Sequence, residues 1–167
     1  MPDLLTHVAT GYLVRSAAPK KLHPGILILG VILPDIVTRP IYIVWPDAYW
    51  FVKPLHTPLG LVLLSLAVSG LFVPRDRQRA LINLLAGSGL HLALDLLQKH
   101  LVGGYALLFP FTWKSWEIGL IWPEQTLWLL PIWMTLCGLV FWRKKRGQRK
   151  AIRPESRVSC HISESQS

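Results

Sequence analysis

Charge is scarce in this chain. Only 16% of its 167 residues are Asp, Glu, Lys or Arg, against roughly 25% in an average soluble domain. No charged residue falls between Lys53 and Arg75, nor between Glu124 and Arg143. Such runs exclude an ordinary soluble domain, and a 51% apolar composition excludes global disorder. Cysteine is nearly absent: Cys137 and Cys160 are too few for a disulfide framework or a four-thiolate zinc site. No positive n-region opens the sequence after Met1-Pro2-Asp3 and no A-x-A-like site follows the first apolar run, so no cleavable signal peptide is expected. No internal repeat is visible. Apolar residues, eight tryptophans and thirteen prolines are abundant instead, in a length that suits one domain.

A membrane helix needs about 20 mostly apolar residues. Leu55–Val73 fits one span, Thr126–Trp142 a second, and Ala80–His100, interrupted by Asp95 and Lys99, a third. Leu22–Val37 is a shorter fourth, expected to lose regularity near Pro34-Asp35, and Asp3–Ala18 a weaker fifth stopped by Pro19. The expected fold is all-α: an integral membrane helical bundle of about four to five membrane helices over residues 1–142, with a basic, disordered cytoplasmic tail over 143–167.

The net charge of +9 is mostly a property of that tail, where eight Lys/Arg from Arg143 onward face only Glu155 and Glu164. Directly after an apolar segment, such a run reads as a cytoplasmic flank attracted to anionic lipid. A nucleic-acid partner is disfavoured, because no reading module accompanies the charge. With five membrane helices, Lys20-Lys21, the Arg75/Arg77/Arg79 loop and the tail all fall on the cytoplasmic side of the inner (plasma) membrane. The connections Pro40–Pro54 and Leu101–Gly119 are then external. They carry Trp45, Trp50, Trp113 and Trp116 among other aromatics, as an interfacial belt does.

Ionisable residues inside apolar segments are costly and face a protein interior or a water-filled cavity. Here they are His7, Asp35, His56, His91 and Asp95. His91 and Asp95, four apart, share one helix face. Measured as helix from the cytoplasmic charges at about 1.5 Å per residue, the five lie roughly 18 to 28 Å up, in the outer half of a core about 30 Å thick. Three imidazoles and two carboxylates suit a divalent metal such as zinc, manganese or iron, as one ion or two. His23 lies beside the cytoplasmic Lys20-Lys21 loop, His161 in the tail, and His100 reads as a solvated interface histidine. Arg39, Lys53 and Lys114 are external cations suited equally to meeting an anionic headgroup and to surface anchoring.

Thr6-His7, Leu33-Pro34-Asp35-Ile36, Leu55-His56-Thr57, His91-Leu92-Ala93-Leu94-Asp95 and Leu107-Leu108-Phe109-Pro110-Phe111, in this order, resemble the inner-membrane metal-dependent hydrolase family of bacteria and archaea. The order of His, Pro-Asp, His and His-x-x-x-Asp is also similar, distantly, to zinc-dependent phospholipase C. The resemblance covers roughly residues 1–120. It departs from the family in the third motif, where Phe51–Thr57 keeps His56 but has no His-Arg pair ahead of it. It implies that His7, Asp35, His56, His91 and Asp95 are metal ligands, with zinc the first candidate. Asp35 would serve as bridging ligand or water-orienting base.

The expected activity is hydrolysis of a phosphoester in a lipid or lipid-linked substrate reached from the outer leaflet. A non-enzymatic alternative is a membrane protein whose His/Asp set binds a structural metal or forms a hydrogen-bonded cluster, with a tail that docks a partner or lipid. A transporter would need polar residues at several depths, and the inner half of the chain offers almost none.

Overall fold

The computed structural model describes residues 4–17, 22–99, 103–122, 125 and 128–146. Helix α1 (Leu4–Ala17) is followed by α2 (Pro24–Val44). A 3-10 turn (Pro46–Ala48), the single-turn α3 (Tyr49–Val52) and a second 3-10 turn (Lys53–His56) lead into α4 (Pro58–Gly70) and α5 (Arg77–Leu97). Residues 128–146 form α6. The described residues thus build an all-helical protein, with only two isolated bridges, Gln98 to Ile121 and Tyr105 to Trp116.

The centre is the crossing of α2 and α5. Glycine lets the two backbones touch: a Cβ on Gly87 would stand 2.3 Å from the Leu27 carbonyl oxygen, and one on Gly30 2.5 Å from that of Leu84. Small residues permit such approach where lipid supplies no hydrophobic drive between helices. Leu27, Val31 and Leu84 fill the core around the crossing. Helix α1 lies over it, with Gly11 against Val31, and α4 packs on α5, with Ser65 and Ser88 hydroxyls 3.5 Å apart.

Pro34 does not end α2, which runs ten residues further to Val44. A proline inside a helix leaves the carbonyl four residues earlier without its donor. That carbonyl is Gly30's, and the Ser88 hydroxyl on α5 donates to it at 3.1 Å. A neighbouring helix therefore restores what the proline removes, as in other membrane helices. Consequently Pro40–Val44, expected as part of an external connection, is helical.

The number of spans is also smaller than expected. Among the described residues two helices, α2 and α5, are long and apolar enough to cross a membrane, or three if the pair Pro46–His56 and Pro58–Gly70, bent by 85°, counts as one. Leu55–Val73 is not one straight span, because the chain extends at Thr57 (φ −93°, ψ 159°) and α4 starts anew with Thr57 as its cap and Pro58 in its first turn. At 14 residues, α1 measures about 21 Å, short of the hydrocarbon core. The Thr126–Trp142 candidate and the tail lie partly outside the described residues, but α6 carries helix through residue 146. It lies along α1, with Lys144 Nζ donating to Ser16 Oγ at 3.2 Å.

After α5 the chain folds back over the helix end. The last carbonyls of a helix lack intrahelical donors. Here the backbone N–H groups of Ile118 and Leu120 donate to the carbonyls of Leu96 and Leu97, each at 2.9 Å. Tyr105 and Trp116 exchange two further backbone bonds of 2.9 Å. Residues 103–122 thus form a non-helical cover on this end of the bundle.

Candidate metal centre

The five residues singled out in the sequence come together beneath that cover. His7 descends from α1, Asp35 from α2, and His91 and Asp95 from one face of α5, while His56 ends the second 3-10 turn. His7 and His91 are 0% and 1% exposed, Asp35 and Asp95 6% and 5%. His7 Nε2 stands 3.2 Å from Asp95 Oδ1, and His91 Nε2 3.2 Å from Asp95 Oδ2. On the other side, His91 Nε2 is 3.9 Å from Asp35 Oδ1, and His56 Nε2 is 3.5 Å from the same oxygen. The His7 and His56 rings flank His91, with centroids 4.6 and 5.5 Å away.

Two overlapping groups result: His7, His91 and Asp95, and Asp35, His56 and His91. Within each, the ligand atoms lie within 4.8 Å of one another. Ligand atoms about 2.1 Å from a tetrahedral zinc stand roughly 3.4 Å apart, close to the spacing of these nitrogens and oxygens. While His91 Nε2 faces the two carboxylates, its Nδ1 is buried without a hydrogen-bond partner, although buried polar atoms are rarely left so. Two carboxylates and one guanidinium leave an excess negative charge at the cluster, which a cation would compensate. The donor set, its spacing and the uncompensated negative charge fit a divalent metal.

Two further residues belong to the cluster. The Arg39 guanidinium, one turn past Asp35, holds Asp35 Oδ2 at 2.6 Å. The sequence offered a headgroup contact or an anchor for it; the i,i+4 spacing was the signal for this pair. Tyr105, in the cover, donates its hydroxyl to Asp95 Oδ2 at 2.8 Å and stacks on His56, with ring centroids 5.8 Å apart. Burial first, then the Asp95 carboxylate beside it, holds the phenol far above its ordinary range, so it remains a donor. In the sequence Tyr105 is one more aromatic of the Leu101–Gly119 connection, and no local spacing links it to Asp95.

His23 stands at the opposite end of α2, its backbone N–H donating to Asn83 Oδ1 at 2.7 Å. His100 and His161 lie outside the described residues. The aromatics do surround the cluster-bearing end: Trp45, Trp50, Phe51, Phe111 and Trp113 are all more than half exposed.

No curated protein and no solved structure matches the chain. The family comparison matches residues 1–154. That span takes in α6 and the start of the basic segment, beyond the 120 residues covered by the motif resemblance. Together with the apolar helices α2 and α5, this match places the protein in the inner membrane. The chain belongs to the YdjM inner membrane protein family.

Proposed function

We propose that the protein is a metal-dependent hydrolase acting on a phosphoester of a lipid or lipid-linked substrate at the outer face of the inner membrane. The reading rests on one observation: three imidazoles and two carboxylates from four separate segments converge at one end of a membrane bundle. His7, His56, His91 and Asp95 would be the ligands of one or two ions, zinc being the first candidate. A divalent metal supplies Lewis-acid activation of water and of a phosphoryl oxygen when bound. Asp35 is the bridging ligand or the base. Arg39 holds its Oδ2 and leaves Oδ1 toward the imidazoles, where it can orient a water and take its proton. The cover and the walls of α1, α2 and α5 keep bulk water from the ligands. In this reading the cluster-bearing end faces the outside of the cell and the basic C-terminal segment the cytoplasm, the orientation that the positive-inside tendency favours for the basic tail.

The test is elemental analysis of the full chain purified in detergent, together with release of phosphate from a short-chain phosphatidate. Wild type should carry about one to two divalent ions per chain, and the H91A/D95A double variant should carry none and be inactive. Wild type as metal-free as the double variant overturns the reading.

A second, non-enzymatic reading draws on the bond between Tyr105 and Asp95. With His7, His91 and Tyr105 all on Asp95, the cluster can act as a buried polar network that fixes the bundle. It predicts a folded, metal-free wild type, or one whose metal persists with no turnover.

A further inference from the structure

The end of the bundle opposite the His/Asp cluster is basic. Helices α1 and α6 run parallel toward it: Cys137 Sγ lies 3.7 Å from the Ala9 carbonyl oxygen and, seven residues further along each helix, Lys144 Nζ lies 3.2 Å from Ser16 Oγ. The starts of α2 and α5 meet at the same end, through the backbone N–H of His23 on Asn83. Arg15, Arg75, Arg77, Arg79 and residues 143–146 gather there, and Asp76 is the one described acid among them.

Arg15 stands apart from the other cations. Arg77 Nε donates to the Phe72 carbonyl at 3.1 Å, and the Arg146 guanidinium lies over the Trp142 ring, 3.5 Å from its centroid; both residues are exposed. Arg15 is half-buried, its Nε is buried without a hydrogen-bond partner, and among the described residues it makes no ion pair. Buried donors are rarely left so, and a guanidinium cannot shed its charge. A second cation is held beside it. Tyr12 and Ser16, four apart, share one face of α1. The Lys144 ammonium sits on that face, bonded to Ser16 and 5.7 Å from the Tyr12 ring centroid. Arg15 adjoins Ser16 and lies three residues past Tyr12, so two cations start from one turn of α1 with no described carboxylate between them.

We propose that Arg15 and Lys144 form a site for the headgroup of an anionic phospholipid, in the leaflet at the end opposite the cluster. Beside the two cations Val14, Phe141 and Trp142 are 40, 60 and 50% exposed. Apolar side chains directly next to paired cations fit an amphiphile, with its phosphodiester on the charges and its chains on the helices. Basic recesses between membrane helices take such headgroups. The guanidinium offers a fork to two phosphate oxygens and the ammonium a point charge, while the Arg15 methylenes run along the apolar helix to headgroup level. Neither residue belongs to the His/Asp cluster, so the site stands independently of the hydrolase reading.

The experiment titrates the full chain, in an uncharged detergent, with dihexanoyl phosphatidylglycerol and with dihexanoyl phosphatidylcholine. Calorimetry gives the affinity and native mass spectrometry the number of lipids retained. Phosphatidylglycerol should bind at about one per chain, and phosphatidylcholine at least about tenfold more weakly. Arg15→Gln/Lys144→Gln should weaken phosphatidylglycerol binding by about tenfold or more. Arg75→Gln/Arg79→Gln, which removes the same charge from the same end, should stay within about twofold of wild type. Lys144→Gln alone, at an exposed position, keeps the test in hand if the double variant does not fold, and should weaken binding by about fivefold. Unchanged affinity in folded Arg15→Gln/Lys144→Gln, or in Lys144→Gln where the double variant does not fold, overturns the site. So does equal weakening by Arg75→Gln/Arg79→Gln, which would reduce the effect to diffuse charge, and so does equal binding of phosphatidylcholine.

Discussion

The Tyr105 hydroxyl and Asp95 Oδ2 lie 2.8 Å apart, and this bond ties the non-helical cover to the helix that carries two of the cluster residues. Groups behind a metal ligand set its orientation, and losing one typically costs about 10- to 100-fold in metal affinity. Tyr105→Phe should leave the fold intact and raise the rate of metal loss to a chelator within that range. Wild-type retention in this variant would separate the cover from the metal centre.

His91 is common to both candidate groups, whereas His7 and His56 each belong to one. Metal content of the three alanine variants should therefore fall most for His91→Ala, with His7→Ala and His56→Ala retaining a fraction each. Elemental analysis of the three, each checked for folding by circular dichroism, gives the order. Equal losses in all three would point to a single site that draws on every imidazole.

Arg39 compensates a carboxylate that is itself almost wholly buried. Removing one member of such a pair leaves a charge stranded, at a cost of about 3 kcal/mol or more in a dry site, less here because the guanidinium is a quarter exposed. Arg39→Met should lower the melting temperature of metal-stripped protein clearly, and that of metal-loaded protein much less, because the added cation takes over the compensation. An equal drop in both states would show that the metal does not reach Asp35.

Ser88 and Gly87 test the helix crossing. Ser88→Ala removes the hydroxyl that donates to the Gly30 carbonyl and should destabilise the protein by about 1 to 2 kcal/mol. Gly87→Ala puts a methyl group against the Leu27 backbone, where the clash should cost about 1 to 3 kcal/mol or prevent assembly. Gly138→Ala, with open space around it, is the control. Thermal unfolding in detergent reads all three.

The candidate site was more legible than the architecture. His91 and Asp95 follow from helical spacing, and the level shared by His7, Asp35 and His56 follows from counting residues from the flanking charges; both are local properties. The continuation of α2 through Pro34 was not, because the donor that makes it tolerable is a serine 58 positions from the Gly30 carbonyl it serves. The break at Thr57 was hidden for a related reason: Leu55–Val73 is uniformly apolar, and hydropathy records solvent preference but not direction. Tyr105 meets Asp95 only because the chain reverses after α5 to satisfy the carbonyls of Leu96 and Leu97.

The contact at Gly30 and Gly87 has a bearing on how anything gets in. Two helices joined main chain to main chain cannot slide or roll past each other without collision, so α2 and α5 form a fixed wall and cannot act as a door. The stretch that Tyr105 pins down is not braced in that way, and the speed of exchange through it should follow how readily that pin is drawn.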